Sequence, residues 1–223
     1  MSQIHWASQI NADFGVKADW TGGAVPGATD DATFDASGST FYTVTASTSE
    51  TVAGIELAST AELSITAGTF TATTGTAAGA NAGVMAVGDG TTLALGGAVD
   101  NTGAITLGGA KAATNLDLLG NTTLSGGGSI ILSSSAENAI FGASSAVTLT
   151  NANNTITGGG QIGKGQLTLV NEAKGVIDAT TSNALVIDTT GENLTNSGLL
   201  EGAGTGGLTV QNTVVHNAGG VIQ

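Results

Sequence analysis

Three carboxylate side chains in the C-terminal third of the chain could perform acid–base chemistry. Asp178, Asp188 and Glu201 each directly follow a pair of aliphatic residues, so each is expected at the end of a short strand. Glycosidases need two carboxyl groups that lie about 5–10 Å apart, and Asp178 and Asp188 form the best pair if their strands are neighbours. The alternative, which we favour, is that these side chains cap strand ends by accepting hydrogen bonds from turn amides. Glu201 is expected to continue the same polar edge.

Cations are scarce, and this limits both the chemistry and the partners of the chain. It has no arginine, and its lysines are Lys17, Lys111, Lys164 and Lys174. A polysaccharide lyase needs a cation beside the substrate carboxylate, but Lys164 and Lys174 stand next to glycines in turn-like segments, where solvated lysines are expected. The net charge of −13 excludes a nucleic-acid partner, because phosphate binding requires clustered basic side chains.

The residues that nucleophilic catalysis and metal binding need are few. His5 and His216 are the only histidines and there is no cysteine, which argues against a serine triad and a zinc site. Structural calcium is the one metal that the carboxylates could support, and the candidates are Asp30, Asp31, Asp35 and Asp89. None of them completes a calcium-binding loop, and we expect them to cap turn amides instead. We therefore assign no catalytic, cofactor-binding or metal-binding residue.

The elements that must position these side chains are short and repeated. The segment Asn121–Ile130 returns in similar form as Asn153–Ile162, and a shorter pattern of Asn, Gly and an aliphatic pair begins at Asn101, Asn171, Asn196 and Asn217. Such self-similarity indicates stacked units, none of which can bury its apolar face alone. The recurring asparagines are expected to form an amide ladder, each side chain bonding to the next coil.

Short apolar runs rich in Val, Ile, Leu and Thr predict strands of four to six residues, and no segment has the periodicity of a helix. A repeat of about 20 residues is too short for a strand–helix–strand unit and fits one coil with two or three short strands. The runs Val147–Leu149, Leu167–Leu169, Leu185–Ile187 and Leu208–Val210 are interpreted as matching strands. The sequence therefore predicts an all-β parallel solenoid. An antiparallel sandwich is the alternative, but Asp89-Gly90 is the single clear hairpin dipeptide.

Residues 1–40 differ in composition from the coils predicted for residues 41–223. They contain both tryptophans, Trp6 and Trp20, and the only proline, Pro26. A stacked fold needs a cap, because its first coil would otherwise expose an apolar end and a free strand edge. We expect residues 1–40 to be this cap, and the alternative is that Trp6 and Trp20 form a platform for a ligand.

The segment Ala18–Asp35, with Trp20, a Val-Pro-Gly turn and an Asp-Asp pair, resembles the opening of autotransporter passengers and related β-strand-repeat adhesin-like surface proteins of bacteria. Tyr42–Thr45, Thr69–Thr73 and Asn153–Ile162 continue the resemblance. It implies a right-handed parallel β-helix that is exported, and it implies no particular reaction. Because the first 20 residues have no apolar segment typical of a signal peptide, the chain resembles members exported through a C-terminal signal. We expect it to be the N-terminal part of a longer protein.

These observations predict a secreted or cell-surface structural module, adhesin-like and without catalytic activity. Its expected location is extracellular or on a bacterial surface, and its expected partners are surfaces, glycans or further copies of itself. No transmembrane segment is expected, because no apolar run approaches 18 residues. Two alternatives stay open. One is a polysaccharide-active enzyme that uses Asp178, Asp188 and Glu201, and the other is a subunit of a self-assembling fibre or sheet.

Overall fold

The protein is a parallel β-solenoid, as the sequence predicted. A computed structural model describes residues 1–76 and 79–223, with 52% of the chain in strands and 3% in helix. Every pairing between the named strands is parallel, and the one antiparallel contact in the described residues is an isolated bridge between Trp6 and Trp20. The antiparallel sandwich is therefore wrong.

The regular elements of the described residues are 25 strands, most of them two to five residues long, and two single turns of 3₁₀ helix. The 3₁₀ turns are Lys17–Asp19 and Thr21–Gly23. The strands of the first half are β1 (Ser2–His5), β2 (Ala12–Asp13), β3 (Asp30–Phe34), β4 (Tyr42–Ala46), β5 (Glu50–Val52), β6 (Gly54–Leu57), β7 (Ala61–Ile65), β8 (Thr69–Ala72), β9 (Val84–Val87), β10 (Thr92–Leu95), β11 (Ala98–Asp100) and β12 (Ala104–Leu107). Those of the second half are β13 (Thr114–Leu118), β14 (Thr122–Ser125), β15 (Ser129–Gly142), β16 (Thr148–Asn151), β17 (Thr155–Gly163), β18 (Thr168–Asn171), β19 (Val176–Asp178), β20 (Leu185–Asp188), β21 (Asn193–Asn196), β22 (Leu199–Glu201), β23 (Leu208–Gln211), β24 (Val214–Asn217) and β25 (Val221–Ile222).

These strands form three faces, and face 2 begins only with β5, because no strand lies between β2 and β3. Face 1 is the stack β2-β4-β7-β9-β12-β15-β17-β19-β22-β25, and face 2 is the stack β5-β8-β10-β13-β15-β17-β20-β23. The long strands β15 and β17 belong to both faces because they continue around the corner between them. Face 3 consists of β1-β3-β6 followed by β11-β14-β16-β18-β21-β24, and bridges from Asn81 to Leu57 and Asn101 join its two parts.

The core consists of aliphatic columns that run along the solenoid. Along each strand alternate side chains point inward, and the parallel register places like residues above one another. On face 1 one fully buried column contains Val44, Leu63, Met85, Ile105, Ile130, Ile156, Ile177 and Leu200. Burial of each such side chain contributes roughly 1.5–3 kcal/mol, and this gain depends on the presence of the coils above and below.

A column of glycines forms the corner between face 3 and face 1. At Gly103, Gly198 and the equivalent positions, an added Cβ would lie less than 3.0 Å from a backbone carbonyl of the preceding coil. A side chain at these glycines would displace the carbonyl, so the chain can turn tightly there; in one coil Asn154 stands at this corner instead. The shorter Asn-to-aliphatic pattern of the sequence spans this corner. Its aliphatic residues Ile105, Ile177, Leu200 and Ile222 do fall in one column, which confirms that interpretation.

Other equivalences drawn from the sequence are wrong, because similar short segments occupy different faces. Leu124 of the first longer repeat lies on face 3, whereas the corresponding Ile156 lies on face 1. Leu167–Leu169 leads into face 3 and stacks on Leu149, but Leu185–Ile187 belongs to face 2.

Candidate functional site

The buried asparagines of face 3 form the amide ladder that the sequence predicted. The Nδ2 atom of Asn151 donates to Oδ1 of Asn171 at 3.0 Å, Asn171 donates to Asn196 at 2.9 Å, and Asn196 donates to Asn217 at 2.9 Å. At the other end of the face Asn81 donates to Asn101 at 2.7 Å. Second hydrogen bonds reach carbonyl oxygens of the next coil, for example from Asn171 to Leu199 at 3.1 Å. The ladder therefore satisfies buried amides and fixes the register between coils.

The coil that contains β14 has no ladder asparagine, since the register partner of Asn151 there is Leu124, and Asn154 bridges the gap. Asn101 donates across this coil to Oδ1 of Asn154 at 2.8 Å. Nδ2 of Asn154 donates to the carbonyl of Ser125 at 2.7 Å, and its backbone amide donates to Asn151 at 2.9 Å. Asn154 occupies the corner position that is glycine in most other coils, so its side chain can reach the ladder axis.

The two carboxylates proposed from the sequence as a catalytic pair do not meet. Asp178 ends β19 on face 1, whereas Asp188 ends β20 on face 2. Asp188 accepts hydrogen bonds from Nδ2 of Asn212 and Nε2 of Gln211 at 3.0 Å each, and from the amide of Thr190 at 3.0 Å. The bond from Asn212 is the largest cause that holds the pKa of Asp188 below its ordinary value. Asp188 is thus the strand-end cap that the alternative interpretation predicted.

The structure instead brings Asp178 and Glu201 together as register partners in adjacent strands of face 1. Neighbouring strands lie about 4.8 Å apart, close to the separation of about 5–5.5 Å between the carboxyl groups of retaining glycosidases. Asp178 accepts from the amide of Ala203 at 3.3 Å, and Glu201 accepts from Nε2 of Gln223 at 3.2 Å. The sequence analysis named both residues, but their adjacency could not be predicted without knowing which face each strand belongs to.

A groove of about 410 Å³ lies at the corner between faces 3 and 1; its lining includes Gln223, which donates to Glu201, but neither Asp178 nor Glu201. Stacked Gly175, Gly198 and Gly220 line it together with Lys174 and Gln223. Lys174 is therefore a turn lysine at the groove, as the sequence indicated. The other turn lysine, Lys164, places its Nζ atom 5.3 Å from the centre of the Phe141 ring on face 2.

Asp89, one of the carboxylates considered for calcium, is occupied by hydrogen-bond donors. Oδ1 of Asp89 accepts from the amides of Ala110, Lys111 and Ala112 at 2.8, 3.0 and 3.0 Å, and these bonds lower its pKa. A carboxylate surrounded by amides in this way caps a turn.

The acidic residues near the N-terminus are likewise not gathered into a metal site. Asp30 accepts from Ser2 and from the amide of Gly27, and both bonds lower its pKa. Asp35 contacts Nδ1 of His5 at 3.0 Å, while Oδ1 of Asp31 is buried without a partner. In the described part of the chain, no group of three or more His, Cys, Asp or Glu side chains is arranged to hold a metal ion.

Both tryptophans are buried, so they cannot serve as a stacking platform for a ligand. Trp6 is 1% exposed and Trp20 is 2% exposed. Their rings meet edge to face with centroids 4.9 Å apart, and Phe14 packs on Trp20 in the same manner at 5.0 Å. Nε1 of Trp20 donates to the carbonyl of Phe14 at 2.7 Å. These contacts close the N-terminal end of the core.

Asp117 and Glu56 have a raised pKa that the sequence did not predict. Desolvation raises the pKa of Asp117, and its Oδ1 atom is buried without a hydrogen-bond partner. On face 2 its register partners are Ala94 in one neighbouring strand and Phe141 in the other. Desolvation and the nearby Asp35 raise the pKa of Glu56. Nothing in the local sequence marks either residue, because their surroundings come from neighbouring coils.

Comparison of the chain with protein-family models, with curated proteins and with solved structures returned no match. Within the residues that the structure describes, there is no helix of the length and hydropathy needed to cross a bilayer. The fold and the placement of the side chains are therefore the observations on which a function can be proposed.

Proposed function

We propose that the chain is a structural, adhesin-like module that is secreted or displayed on a bacterial surface. The observation that carries the proposal is the continuous column of buried side chains and amides through successive coils. Each coil is bonded to the next through strands, aliphatic columns and the asparagine ladder. Such a stack resists bending and suits a spacer or scaffold that holds a binding surface away from its anchor.

The outward sides of the sheets supply a surface for weak, repeated contacts. Outward threonines stack in register on face 3, where Thr148 lies beside Thr168, and Thr155 follows Ser129 on face 1. Hydroxyl groups at the strand spacing of about 4.8 Å suit hydrogen bonding to glycans or to another flat surface. The net charge of −13 keeps such a flat surface soluble and opposes contact with anionic polymers.

Two measurements test this proposal. Antibody labelling and cell fractionation in the natural host should find the chain outside the cytoplasm, and the purified protein coupled to beads should bind neutral glycans or host-cell surfaces. A coupled β-solenoid of unrelated sequence is the control for non-specific adhesion. Retention in the cytoplasm would contradict the surface assignment, and beads that bind no better than the control would contradict the adhesive role.

A polysaccharide-active enzyme is the second candidate, and the adjacency of Asp178 and Glu201 in neighbouring strands of face 1 is the observation that favours it. Its test is the release of reducing sugars from a panel of polysaccharides by the wild-type chain and by Asp178→Asn, Glu201→Gln and Asp188→Asn. An enzyme that uses the pair would lose activity in the first two variants and keep it in Asp188→Asn, the matched control on the other face. No release by the wild-type chain would dismiss this candidate for the substrates on the panel.

A further inference from the structure

Three asparagines of the chain have a threonine two positions further along, and none of the three threonines follows a ladder asparagine with glycine at that position. The three are Asn121, Asn153 and Asn193, which precede Thr123, Thr155 and Thr195. Asn-x-Thr is the acceptor sequence for attachment of a sugar to the asparagine amide, and it marks a surface position. The ladder residues Asn81, Asn101 and Asn196 have glycine at the second position instead. The sequence thus separates structural asparagines from possible acceptors.

Two of these acceptor sequences lie on the outward side of face 3. Asn121 directly precedes β14, and Asn193 is the first residue of β21. The middle residues, Thr122 and Leu194, are buried, so the two-residue period of a strand turns each asparagine and the threonine after it outward together. Both asparagines are exposed. Each of these two segments therefore presents the amide and the hydroxyl side by side on one surface.

The amide nitrogen that would receive a sugar is free at both positions. Oδ1 of Asn121 accepts from the backbone amide of Thr148 at 2.9 Å, and Oδ1 of Asn193 lies 3.2 Å from Nε2 of His216. Among the described residues, neither Nδ2 atom has a hydrogen-bond acceptor, whereas Nδ2 of the ladder residue Asn171 donates to three oxygens. The neighbouring coil thus holds each acceptor side chain by its oxygen and leaves its nitrogen available.

Asn153 has the same acceptor sequence in a different setting. It is half-buried in the turn between β16 and β17, where its Oδ1 accepts from the amide of Gly127 at 3.0 Å. The next residue, Asn154, is buried at the corner, and Thr155 is an outward residue of face 1. The amide and the hydroxyl therefore stand on opposite sides of a corner. The motif alone predicts three acceptors, and the structure selects two of them.

We propose that Asn121 and Asn193 are sites of N-linked glycosylation in the folded chain. A transferase of the host supplies a sugar that is activated at its anomeric carbon by a diphosphate group. The Nδ2 atom attacks this carbon, and a carbon–nitrogen bond replaces the carbon–oxygen bond to the diphosphate. The diphosphate leaves with the electron pair of the broken bond, and the amide nitrogen loses one proton to a base of the transferase.

Face 3 has room for a sugar at each site. Strands β14, β16, β18 and β21 stack in this order, so Asn121 and Asn193 are three strand spacings apart, about 14 Å. The small side chains of Thr148 and Thr168 lie between them. The outward threonines of face 1 stay free for the contacts proposed above. The inference does not rest on that proposed function, because it depends only on how the folded chain presents its amides.

Peptide mapping by mass spectrometry of the protein purified from its natural host is the experiment. We expect peptides that contain Asn121 or Asn193 to carry a sugar, and electron-transfer fragmentation should place it on the asparagine. The segment around Asn153 should carry none. The same chain made by cell-free synthesis without sugar donors provides the unmodified reference masses.

Substitutions in the host test each site separately. Asn121→Gln and Asn193→Gln should each remove the sugar of one site from the mass of the protein, whereas the matched control Asn153→Gln should remove none. Thr195→Ala should abolish modification of Asn193, and Thr195→Ser should keep it, because the acceptor sequence requires a hydroxyl. Circular dichroism and thermal unfolding of every variant should show an intact solenoid, since these side chains are not part of the core.

Sugars on Asn121 and Asn193 but not on Asn153 support the proposal. Unmodified asparagine at either of the first two positions overturns the assignment of that site. Equal modification of Asn153 would show that the motif, and not its presentation on face 3, selects the acceptor, and sugars attached to threonine hydroxyls would also contradict the proposal. A protein found outside the cytoplasm without sugars would overturn this inference alone and leave the proposed function standing.

Discussion

The first and the last coil of the chain differ in how far their core side chains are shielded from solvent. At the N-terminal end, Trp6, Phe14 and Trp20 cover the first coil and are at most 2% exposed. At the C-terminal end, Ile222 stands at the end of an otherwise buried column and is 52% exposed. Large aromatic rings close a stack because each covers a wide area and meets its neighbours edge to face. The small aliphatic residues that fit between coils cannot do this alone.

Truncation of the aromatic cap is the strongest way to test this difference. Trp20→Ala should destabilise the protein by about 3–5 kcal/mol, because it removes a buried ring from the centre of the cap. Ile222→Ala, the matched truncation in the last coil, should change stability by no more than about 0.5 kcal/mol. Urea denaturation followed by far-UV circular dichroism, at a concentration where the chain is monomeric, measures both. Similar losses for the two variants would contradict the distinction between the ends.

The asparagine ladder provides a second comparison, between an internal step and the terminal one. Asn171→Ala removes the acceptor of Asn151 and the donor to Asn196, and leaves buried amides unsatisfied. The expected loss is about 1–3 kcal/mol. Asn217→Ala should cost much less, because Asn217 is exposed and water can replace its bond to Asn196. If both substitutions cost the same, the last coil is not open to solvent.

The single tyrosine reports how well the first coils exclude water. Desolvation is the main cause that raises the pKa of Tyr42 from 10.0 to about 12. The raised value means that the folded state favours the neutral phenol. Its contribution to stability is therefore complete below pH 10 and is lost as the pH rises from 10 toward 12. Spectrophotometric titration at 295 nm should show one phenol ionising near pH 12 in the folded protein and near pH 10 in denaturant. A folded-state value near 10 would show that the coils next to the cap admit water.

Asp188 provides the smallest effect and tests how firmly the last coil is docked. Its hydrogen bonds come from Gln211 and Asn212 of that coil, and they lower its pKa. The lowered value means that the folded state favours the carboxylate. This contribution is present above the unfolded pKa of about 3.8 and is lost as the pH falls through the folded value. Asp188→Asn should thus make the urea midpoint slightly less sensitive to acid below pH 4. An unchanged pH dependence would indicate that the bonds to the last coil are not made in solution.

Sequence patterns predicted those parts of the fold in which only one residue type can occupy a position. The ladder asparagines could be recognised because an amide side chain can both donate to and accept from the coils on either side. The corner glycine Gly198 could be recognised because an added Cβ would collide with backbone carbonyls of the preceding coil. The order of the faces could not be predicted, because aliphatic strands look alike on all three. The apolar run Val52–Leu57, for example, is divided between faces 2 and 3 at Ala53.

The candidate site was harder to predict than the fold because it depends on register. Asp178 and Asp188 stand ten residues apart in the sequence and end on different faces. Asp178 and Glu201 are more distant in the sequence and become neighbours because one full coil separates them. Asn154 shows the same effect, since its role follows from the missing ladder asparagine in the preceding coil. Contacts between coils need the lengths of the intervening turns, and these lengths vary without an obvious local signal.

Amide hydrogen exchange resolved along the chain tests the central claim most directly. The claim is that one stack of parallel coils is closed at its N-terminal end and open at its C-terminal end. The amides of β3 and the internal strands should be strongly protected, while those of β23, β24 and β25 should exchange fastest. Strong protection of the last coil, or rapid exchange in β3 and the aromatic cap, would contradict the account.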